Sequence, residues 1–393
     1  MAYGVPGEKN GYEIALYTSL AVYCEVFQLI HYITLCSDTR APKLPPNTQN
    51  VYFHHIDVPQ RSIYKLFLRS LSGQTPACVL RFTTGSVLRK MRYILQSIAG
   101  NSCPPTHVVY EDIPVGCLAM CIHNLMPGAK SAVRSHNVLQ NSFRGMERMG
   151  GVISRAAWWW ELLRIRRFEG HIVHSIPTVW SITEEDMSDY QRLYGRHVDG
   201  VLGVGIETGR YRDVAPGKDC TVLHIGGLDT KRGLSMRNFI RSEWLKVRSQ
   251  VPEAQLLLAG MNSERFADES IGVVGCGEVQ SDVEFLNRGR VFINTQEVGS
   301  GVKLKSVIAM AAGKALISTE NGIQGIPATP GTHFLRTDGV YGMAEHIVRL
   351  LLQKNLADRI AKAAQAFVFK HYDLDLVMQR GIQLVEEWKS CSY

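Results

Sequence analysis

The chain has 393 residues, a formal net charge of +7, and a composition that is 45% hydrophobic and 20% charged. This composition excludes an intrinsically disordered chain, and the length suits two α/β domains better than a single core. No stretch reaches the roughly 18 to 20 apolar residues of a membrane span, and the first residues lack the apolar core of a signal peptide. We therefore expect a cytoplasmic protein with affinity for anions, such as nucleotide phosphates, lipid headgroups or nucleic acid.

Segments rich in β-branched and aromatic residues alternate with segments of helical spacing along the first half of the chain. We predict strands at 26–36, 50–58, 106–111, 129–137 and 177–183. Helices are predicted at 61–72, at 115–125, over a long region from about 141 to 168, and from Thr183 onward. Such alternation is typical of a parallel sheet with helices on both faces.

A second α/β cycle begins near residue 220, after a glycine-rich stretch at 199–217 that has no periodicity. Its predicted strands are 220–227, 254–260, 271–277, 290–295 and 314–319. The sequence thus predicts an α/β fold of two Rossmann-like, doubly wound lobes that face each other across a cleft. We place the N-terminal lobe at 1–198, the C-terminal lobe at 199–365, and terminal helices at 366–393 that could cross back to the N-terminal lobe.

A glycine-bracketed loop at 296–301 leads from a strand into a helix. At the carboxyl end of a parallel strand, such a loop presents helix N–H groups to an anion. Gly299 and Gly301 would let the backbone approach the anion closely, and Lys303 would add positive charge. Lys305 lies on a different helix face, so it need not point at the same ligand. An ordinary strand-to-helix turn with solvated lysines is the alternative interpretation.

A second loop of this type, "IGGLDTKRGLS", places Lys231 and Arg232 beside glycines. Two basic, glycine-rich loops in one lobe favour a nucleotide diphosphate held between helix ends. Neither GxGxxG nor GxxxxGK[ST] is present, which disfavours a dinucleotide enzyme and a P-loop ATPase. The nine cysteines are scattered without zinc-like pairing, so we expect core thiols and neither a metal site nor a disulfide framework.

Motifs in both halves of the chain resemble the family 4 glycosyltransferases of the GT-B fold. The resemblance to the donor lobe lies in "VLHIGGLDTKRG" and "GSGVKLKSVIAMAAGKALISTENGIQGI". The resemblance to the acceptor lobe lies in "GEKNGYEIALYTSLA", "AVRSHNVLQNSFRG" and "FEGHIVHSIPTVWSITEEDMSDY". It implies transfer from a UDP- or GDP-linked sugar to a glycan or lipid-linked acceptor in polysaccharide biosynthesis. Retention at the anomeric carbon, without a metal or other cofactor, is also implied.

The resemblance assigns roles to individual residues. The implied donor-binding residues are Gly227, Lys231, Arg232, Ser300, Gly301, Val302, Lys303 and Lys305. His136 corresponds to the family histidine near the donor sugar, and Asn10 and Gly11 correspond to its paired glycines before the first helix. Helix-end amides and lysines would stabilise negative charge on the leaving nucleotide diphosphate. A histidine that closes an apolar strand is also typical of a hydrogen-bonded core residue.

Three features depart from the family pattern. The paired glutamates of E-x7-E fall on Ser300 and Ile308, so neither carboxylate is present. Glu297 is the candidate catalytic substitute for the first glutamate, with a solvated loop glutamate as the alternative. The loop "GGLDTKR" lacks the family arginine after its first glycine. Only Met1 to Val5 precede the first glycine loop, so we expect either a very short first strand or a chain that begins further upstream.

The missing glutamates support a second hypothesis, a catalytically degenerate GT-B module that serves as a binding subunit or partner of an active transferase. The segment 143–170 carries six arginines and three consecutive tryptophans. Arginines around exposed aromatic residues suit an anionic membrane surface, here the inner face of the cell membrane. Trp158, Trp159 and Trp160 point in three directions on a helix, so at least one should be core. No strand interleaves basic and aromatic residues, so no nucleic-acid partner is expected.

Overall fold

The protein, described by a computed structural model, divides into two compact units. The first unit comprises Met1–Gly205 and Val377–Tyr393, and the second comprises Ile206–Leu376. The structure describes residues 1–8, 10–46, 48, 50–58, 73, 75–100, 104–143, 152–228 and 230–391. The helix predicted at 61–72 lies outside the described residues.

The first unit alternates strands with helices. Its strands are β1 (Ile30–Cys36), β2 (Val51–Asp57), β3 (His107–Glu111), β4 (Lys130–Ser135), β5 (Thr178–Ser181) and β6 (Gly200–Val201). Its helices are α1 (Gly11–Val26), α2 (Ala77–Leu80), α3 (Gly85–Ala99), α4 (Ala119–Leu125), α5 (Leu139–Phe143), α6 (Val152–Ser175) and α7 (Glu184–Tyr194). A 3-10 segment, Ile113–Leu118, precedes α4.

Met1 and Ala2 join two parallel ladders of the first unit. One ladder pairs β1 with β2, and the other has the order β3-β4-β5-β6. The Ala2 N–H donates to Ile33 O at 3.0 Å, and the Glu111 N–H donates to Met1 O at 2.7 Å. Ala2 therefore fills a central strand position between β1 and β3. From this position the chain builds the sheet outward in two opposite directions, towards β2 on one side and towards β6 on the other. The carboxyl ends of β1 and β3 therefore lie at the topological switch point of the first sheet.

Helix α1 is buried on more than one side. Leu16 and Leu20 pack with residues of β1 and β2, whereas Val22 and Tyr23 belong to the cluster formed with the last helix of the chain. The side chain of Asn10 caps the first turn of α1. Helix α1 is thus capped at its start, is buried over most of its length, and contributes to two clusters of the core.

The second unit contains a six-stranded parallel sheet with helices between its strands. Its strands are β7 (Lys218–Ile225), β8 (Gln255–Ala259), β9 (Val273–Gly275), β10 (Gly289–Asn294), β11 (Ala315–Thr319) and β12 (Leu335–Thr337). Its helices are α8 (Thr230–Phe239), α9 (Leu245–Gln250), α10 (Asp282–Leu286), α11 (Leu304–Ala311), α12 (Met343–Leu352) and α13 (Lys354–His371). A π-helical segment, Ile240–Trp244, joins α8 to α9.

The strand order of the second sheet is β12-β11-β10-β7-β8-β9. The chain therefore builds the sheet outward from β7 in one direction and from β10 in the other, so the switch point lies between these two strands. The two ends of this unit pair with each other. Ile206 N–H donates to Tyr372 O at 2.8 Å, and Leu374 N–H donates to Ile206 O at 2.9 Å.

Some predicted element bounds are wrong. The strand predicted at 26–36 starts only at Ile30, because α1 continues to Val26 and the Phe27 N–H still bonds to Tyr23 O. The helix predicted at 115–125 is partly the 3-10 segment. The long helical region is described as α5 and α6, and the residues between them lie outside the described part. Strands β6 and β12 were not predicted; they have two and three residues.

The last helix, α14 (Leu374–Ser390), belongs to the first unit from Val377 onward. The Trp388 side chain is 5% exposed, and its ring meets that of Trp180 edge-on with centroids 5.1 Å apart. A Cβ atom at Gly381 would lie 2.7 Å from Leu202 Cδ1, so a larger residue there would displace the Leu202 side chain. The core of the first unit thus includes residues from the end of the chain.

Replacing Trp388 with alanine should destabilise the protein by about 3 to 5 kcal/mol, because it leaves a cavity against Trp180. Urea unfolding monitored by circular dichroism measures this loss. Trp159→Ala is the matched control, since Trp159 is 59% exposed and its loss should cost under about 1 kcal/mol. Equal losses in the two variants would contradict the proposed packing of α14.

Candidate functional site

The carboxyl ends of β7 and β10 lie side by side at the switch point of the second unit. β7 leads into Gly226 and the half-buried Gly227, where Gly226 has a φ of +145°. A Cβ atom at Gly260, after β8, would lie 2.5 Å from Gly226 O. The loop after β7 therefore has backbone packed against backbone, and side chains at these glycines would open it.

The loop after β10 is held by side chains of the neighbouring strand ends. Gly299 and Gly301 have φ values of +118° and +74°, which favour glycine. Asn321 Nδ2 donates to Gly299 O at 2.6 Å, and Thr319 Oγ1 donates to Gln296 O. The loop is thus a fixed structure at the start of α11.

The two lysines of this loop have different surroundings. Lys303 is 5% exposed, and its Nζ donates to Ser300 O at 2.9 Å and to Gly301 O at 2.8 Å. Lys305 is half-buried, and its Nζ lies 3.7 Å from where a Cβ atom on Gly226 would be. Lys303 therefore braces its own loop, whereas Lys305 brings positive charge to the loop after β7. The sequence predicts the larger role in anion binding for Lys303.

The carboxylate of Glu297 faces other elements of the second unit. Its Oε2 accepts a hydrogen bond from Ser235 Oγ at 3.2 Å, and its Oε1 accepts one from the Val340 N–H at 3.4 Å. Glu297 therefore ties the loop to α8 and to the turn before α12. Ser300 and Ile308, at the positions of the family glutamates, are both half-buried and carry no carboxylate.

Three other residues predicted for this site, Val302, Lys231 and Arg232, lie at the starts of α11 and α8. Val302 is half-buried and directly precedes Lys303, the N-cap of α11. Lys231 and Arg232 lie in the first turn of α8, but their side chains are outside the described residues. Their predicted role in phosphate binding stays a prediction.

His224, near the end of β7, is a site residue that sequence reasoning missed. It is 2% exposed, and its Nδ1 lies 3.0 Å from Ile293 O. Because a carbonyl only accepts hydrogen bonds, Nδ1 carries a proton. Its Nε2 lies 3.9 Å from where a Cβ atom on Gly226 would be. The sequence signal that could have identified His224 is its position one residue before the end of a strand that is followed by two glycines.

Glu111 is the centre of the polar network at the switch point of the first unit. Its Oε1 accepts a hydrogen bond from Tyr23 OH at 2.7 Å, and its Oε2 lies 3.1 Å from Arg134 NH1 and 2.8 Å from His136 Nε2. Burial by itself raises the pKa of Glu111, but the Arg134 charge and the His136 hydrogen bond outweigh it and hold that pKa well below its usual range. Glu111 is therefore a carboxylate.

His136 is 5% exposed and lies against the ring of Tyr12, with centroids 4.7 Å apart. Since the Glu111 carboxylate can only accept, His136 Nε2 carries a proton. The backbone N–H of His136 donates to Asp112 Oδ1 at 3.2 Å. His136 is thus a buried, hydrogen-bonded histidine that also lies at the switch point. Its position is therefore compatible with both interpretations, a core residue and a residue near the donor sugar.

Asp112, the residue after Glu111, also belongs to the polar network at this switch point. Asp112 has a φ of +89°, which is rare for a residue other than glycine. Its Oδ1 also accepts from Ile113 N–H at 2.9 Å, and its Oδ2 accepts from Tyr3 OH at 2.8 Å. Glu111 and Asp112 were not predicted as site residues, although two consecutive acids at the carboxyl end of an apolar strand mark this edge of a parallel sheet.

Asn10 and Gly11, predicted at the first glycine loop, are both exposed. Asn10 Oδ1 accepts from the N–H groups of Tyr12 and Glu13, at 3.0 Å each. The first N–H groups of α1 are therefore capped by the chain itself.

The comparisons with known proteins agree with this geometry. Residues 219–353 match the model of a family described as Glycosyl transferases group 1. The matched residues lie within the second unit, which comprises Ile206–Leu376. It contains both glycine loops, His224 and Lys305. No curated protein matches the chain in sequence.

Solved structures of GT-B glycosyltransferases share the fold of the whole chain. Sucrose-phosphate synthase from Thermosynechococcus elongatus is 14% identical, with a TM-score of 0.73 over 100% of this chain and 98% of that one. HepE from Anabaena, in complex with UDP and glucose, is 12% identical, with a TM-score of 0.67 over 99% of both chains. A glycosyltransferase from Rickettsia africae is 12% identical, with a TM-score of 0.63 over 99% and 98%. The predicted fold of two Rossmann-like lobes is confirmed.

Two absences concern the part of the GT-B chain that the structure describes. No described helix is both long and apolar enough to span a bilayer. In the same ranges, no group of three or more His, Cys, Asp and Glu side chains is placed to hold a metal ion.

Buried carboxylates hold the segment that follows His136 in this GT-B chain. Glu169 accepts hydrogen bonds from the N–H groups of Leu139 and Gln140, at 2.7 and 2.9 Å. It also accepts from the hydroxyls of Tyr190 and Tyr194, at 3.0 and 2.7 Å. Burial raises the pKa of Glu169 to about 7, although these hydrogen bonds act to lower it. The start of α5 is thus occupied by the protein's own carboxylate.

Glu169→Gln should remove a pH dependence of stability. Because the folded pKa of Glu169 is raised from 4.5 to about 7, its protonation stabilises the fold fully below pH 4.5, and this contribution is lost as pH rises through 7. The difference in unfolding free energy between wild type and variant should change by about 3 kcal/mol over this range. Urea unfolding at a series of pH values measures it.

Glu386→Gln, an exposed substitution on α14, is the control and should leave the difference constant with pH. A constant difference for Glu169→Gln as well would show that this carboxyl group does not titrate near neutrality.

Proposed function

We propose that the chain is a glycosyltransferase that moves a sugar from a nucleotide-diphosphate sugar to a glycan or lipid-linked acceptor in polysaccharide biosynthesis, with retention at the anomeric carbon. The observation that carries this proposal is the meeting of two glycine loops and the Lys305 ammonium group at the switch point of a glycosyl transferases group 1 domain. The HepE structures contain UDP with glucose, and UDP-glucose, which supports a UDP-linked donor. A GDP-linked donor is the alternative.

The chemistry of the leaving group explains the need for these groups. When the bond between the sugar and the diphosphate breaks, negative charge grows on the diphosphate oxygens. Lys305, together with the N–H groups at the start of α11, would stabilise that charge where it forms. Lys303 would keep the loop in shape through its bonds to Ser300 O and Gly301 O. We propose that this transfer uses side chains and amides and no metal.

We propose that His136 contacts the transferred sugar. Its Nε2 is bound to Glu111, so Nδ1 is the ring nitrogen that a sugar hydroxyl can approach. Glu111 then acts as a positioning residue, because it fixes both the orientation and the proton of the imidazole. Asp112 holds the backbone of the same residue.

Lys305→Ala should weaken UDP binding by about tenfold to a hundredfold, since a hydrogen bond to a charged group contributes about 1.5 to 3 kcal/mol. Isothermal titration with UDP measures the change. Lys362→Ala removes the same charge from an exposed position on α13 and should leave the affinity unchanged. If both variants bind like wild type, Lys305 does not contact the diphosphate.

His136→Ala should lower the rate of UDP release from UDP-glucose by about a hundredfold, while UDP affinity changes little. The rate and the affinity are measured on the same preparation. His197→Ala, an exposed substitution, is the control. Full activity of the His136 variant would remove it from the mechanism.

A second candidate function is a catalytically degenerate module that binds nucleotide sugars for an active transferase. It is favoured by the lack of a carboxylate at Ser300 and Ile308, and by the engagement of Glu297 with Ser235 and Val340. UDP binding does not separate the two candidates. Measurable turnover of any UDP- or GDP-linked sugar supports the transferase, and nucleotide binding without turnover supports the module.

A further inference from the structure

Helix α6 of the first unit separates its charges by sign. Its two acidic residues, Glu161 and Glu169, are 2% and 0% exposed. Its exposed side chains include two tryptophans and three arginines: Arg155, Trp159, Trp160, Arg166 and Arg167. We call these five residues the α6 face.

The α6 face consists of two neighbouring rows along the exposed side of the helix. Trp159 lies four residues after Arg155 and seven before Arg166, and Trp160 lies seven before Arg167. Residues at these separations share one side of an α-helix. The indoles of Trp159 and Trp160 are 59% and 42% exposed. Trp158, in contrast, is half-buried and stacks with Phe143.

The acidic residues of α6 are engaged inside the protein. Glu161 pairs with the buried Arg164 and accepts from Ala77 N–H at 2.5 Å. Glu169 holds the start of α5. In the described part of the chain, no ion pair involves Arg155, Arg166 or Arg167. The outward charge of this helix is therefore entirely positive.

We propose that the α6 face docks onto the surface of an anionic lipid bilayer. Arginines attract anionic headgroups, and indoles partition into the region between headgroups and acyl chains. A soluble anionic polymer would satisfy the arginines but would leave two protruding indoles in water. A bilayer accommodates both groups along the exposed side of one long helix. This inference goes beyond the transfer reaction and does not depend on it.

The first test is sedimentation of the full chain with vesicles of phosphatidylcholine, with and without phosphatidylglycerol. Wild type should bind only the vesicles that contain phosphatidylglycerol. A triple variant, Arg155→Gln with Arg166→Gln and Arg167→Gln, should bind on the order of a hundredfold more weakly at low salt. No binding by wild type, or equal binding to both kinds of vesicle, would overturn the proposal.

A charge-matched control lies on α3 of the same unit. Arg89, Lys90 and Arg92 are also exposed, and replacing all three with glutamine removes the same net charge. This control should weaken binding much less than the α6 variant. Equal weakening would mean that binding follows net charge alone, and the α6 face would have no special role.

Trp159→Ala with Trp160→Ala provides an independent readout. In wild type, lipids with brominated acyl chains should quench tryptophan emission, and the double variant should lose most of this quenching. Unchanged quenching would place the contact elsewhere. Binding to dextran sulfate with no binding to vesicles would assign the face to a soluble polyanion and overturn the proposal. Thermal unfolding and UDP titration of each variant report separately on folding and on the proposed donor site.

Discussion

Parallel pairing within each unit is the constraint on which the rest of the structure depends. Because neighbouring strands run in the same direction, their carboxyl ends share one edge of each sheet, and the loops that follow must meet there. In the second unit, this edge brings together the glycine loops after β7 and β10. In the first unit, it brings Glu111, Asp112 and His136 together from two neighbouring strands.

The two edges have opposite electrostatic character. At the first, carboxylates dominate: Glu111 is ionised beside Arg134, and Glu169 occupies the N–H groups at the start of α5. At the second, Lys303 and Lys305 flank the start of α11, and the one carboxylate of the loop, Glu297, faces Ser235. The charge at the second edge therefore favours a negatively charged ligand. The first unit is suited to hydroxyl groups, which both donate to carboxylates and accept from imidazole.

Much of the fold followed from the sequence, because buried parallel strands are short apolar runs with strong β propensity. "RVFINT" and "KALIST" are such runs, and the glycine-bounded loop between them led to the prediction of an anion site. Strand β6 was not predicted, because a strand of two residues is too short to show a hydrophobic periodicity. The start of β1 was misplaced because the end of α1 is as apolar as a strand, being buried on more than one side.

The loops of the candidate site lie where the sequence predicts loops, but the contacts of their side chains could not be predicted, and the role of the site stays a prediction. Sequence spacing cannot tell which lysine turns back onto loop carbonyls, because that depends on the left-handed conformations of Gly299 and Gly301. For the same reason Lys303, and not Lys305, received the larger predicted role. Glu111 was missed because its partners, Tyr23 and Arg134, lie far from it along the chain. Long-range polar networks leave no local periodic signal.

The packing of Trp388 against Trp180 has a consequence for how the protein is made on the ribosome. The second unit is one uninterrupted segment whose ends pair through Ile206 and Leu374, so it can close as soon as that segment has emerged. Most of the first unit is translated before the second, but its core lacks Val385 and Trp388 until α14 has left the exit tunnel. The unit that is synthesised earliest is therefore the last to be completed, and a nascent chain arrested before α14 would expose an apolar groove to chaperones.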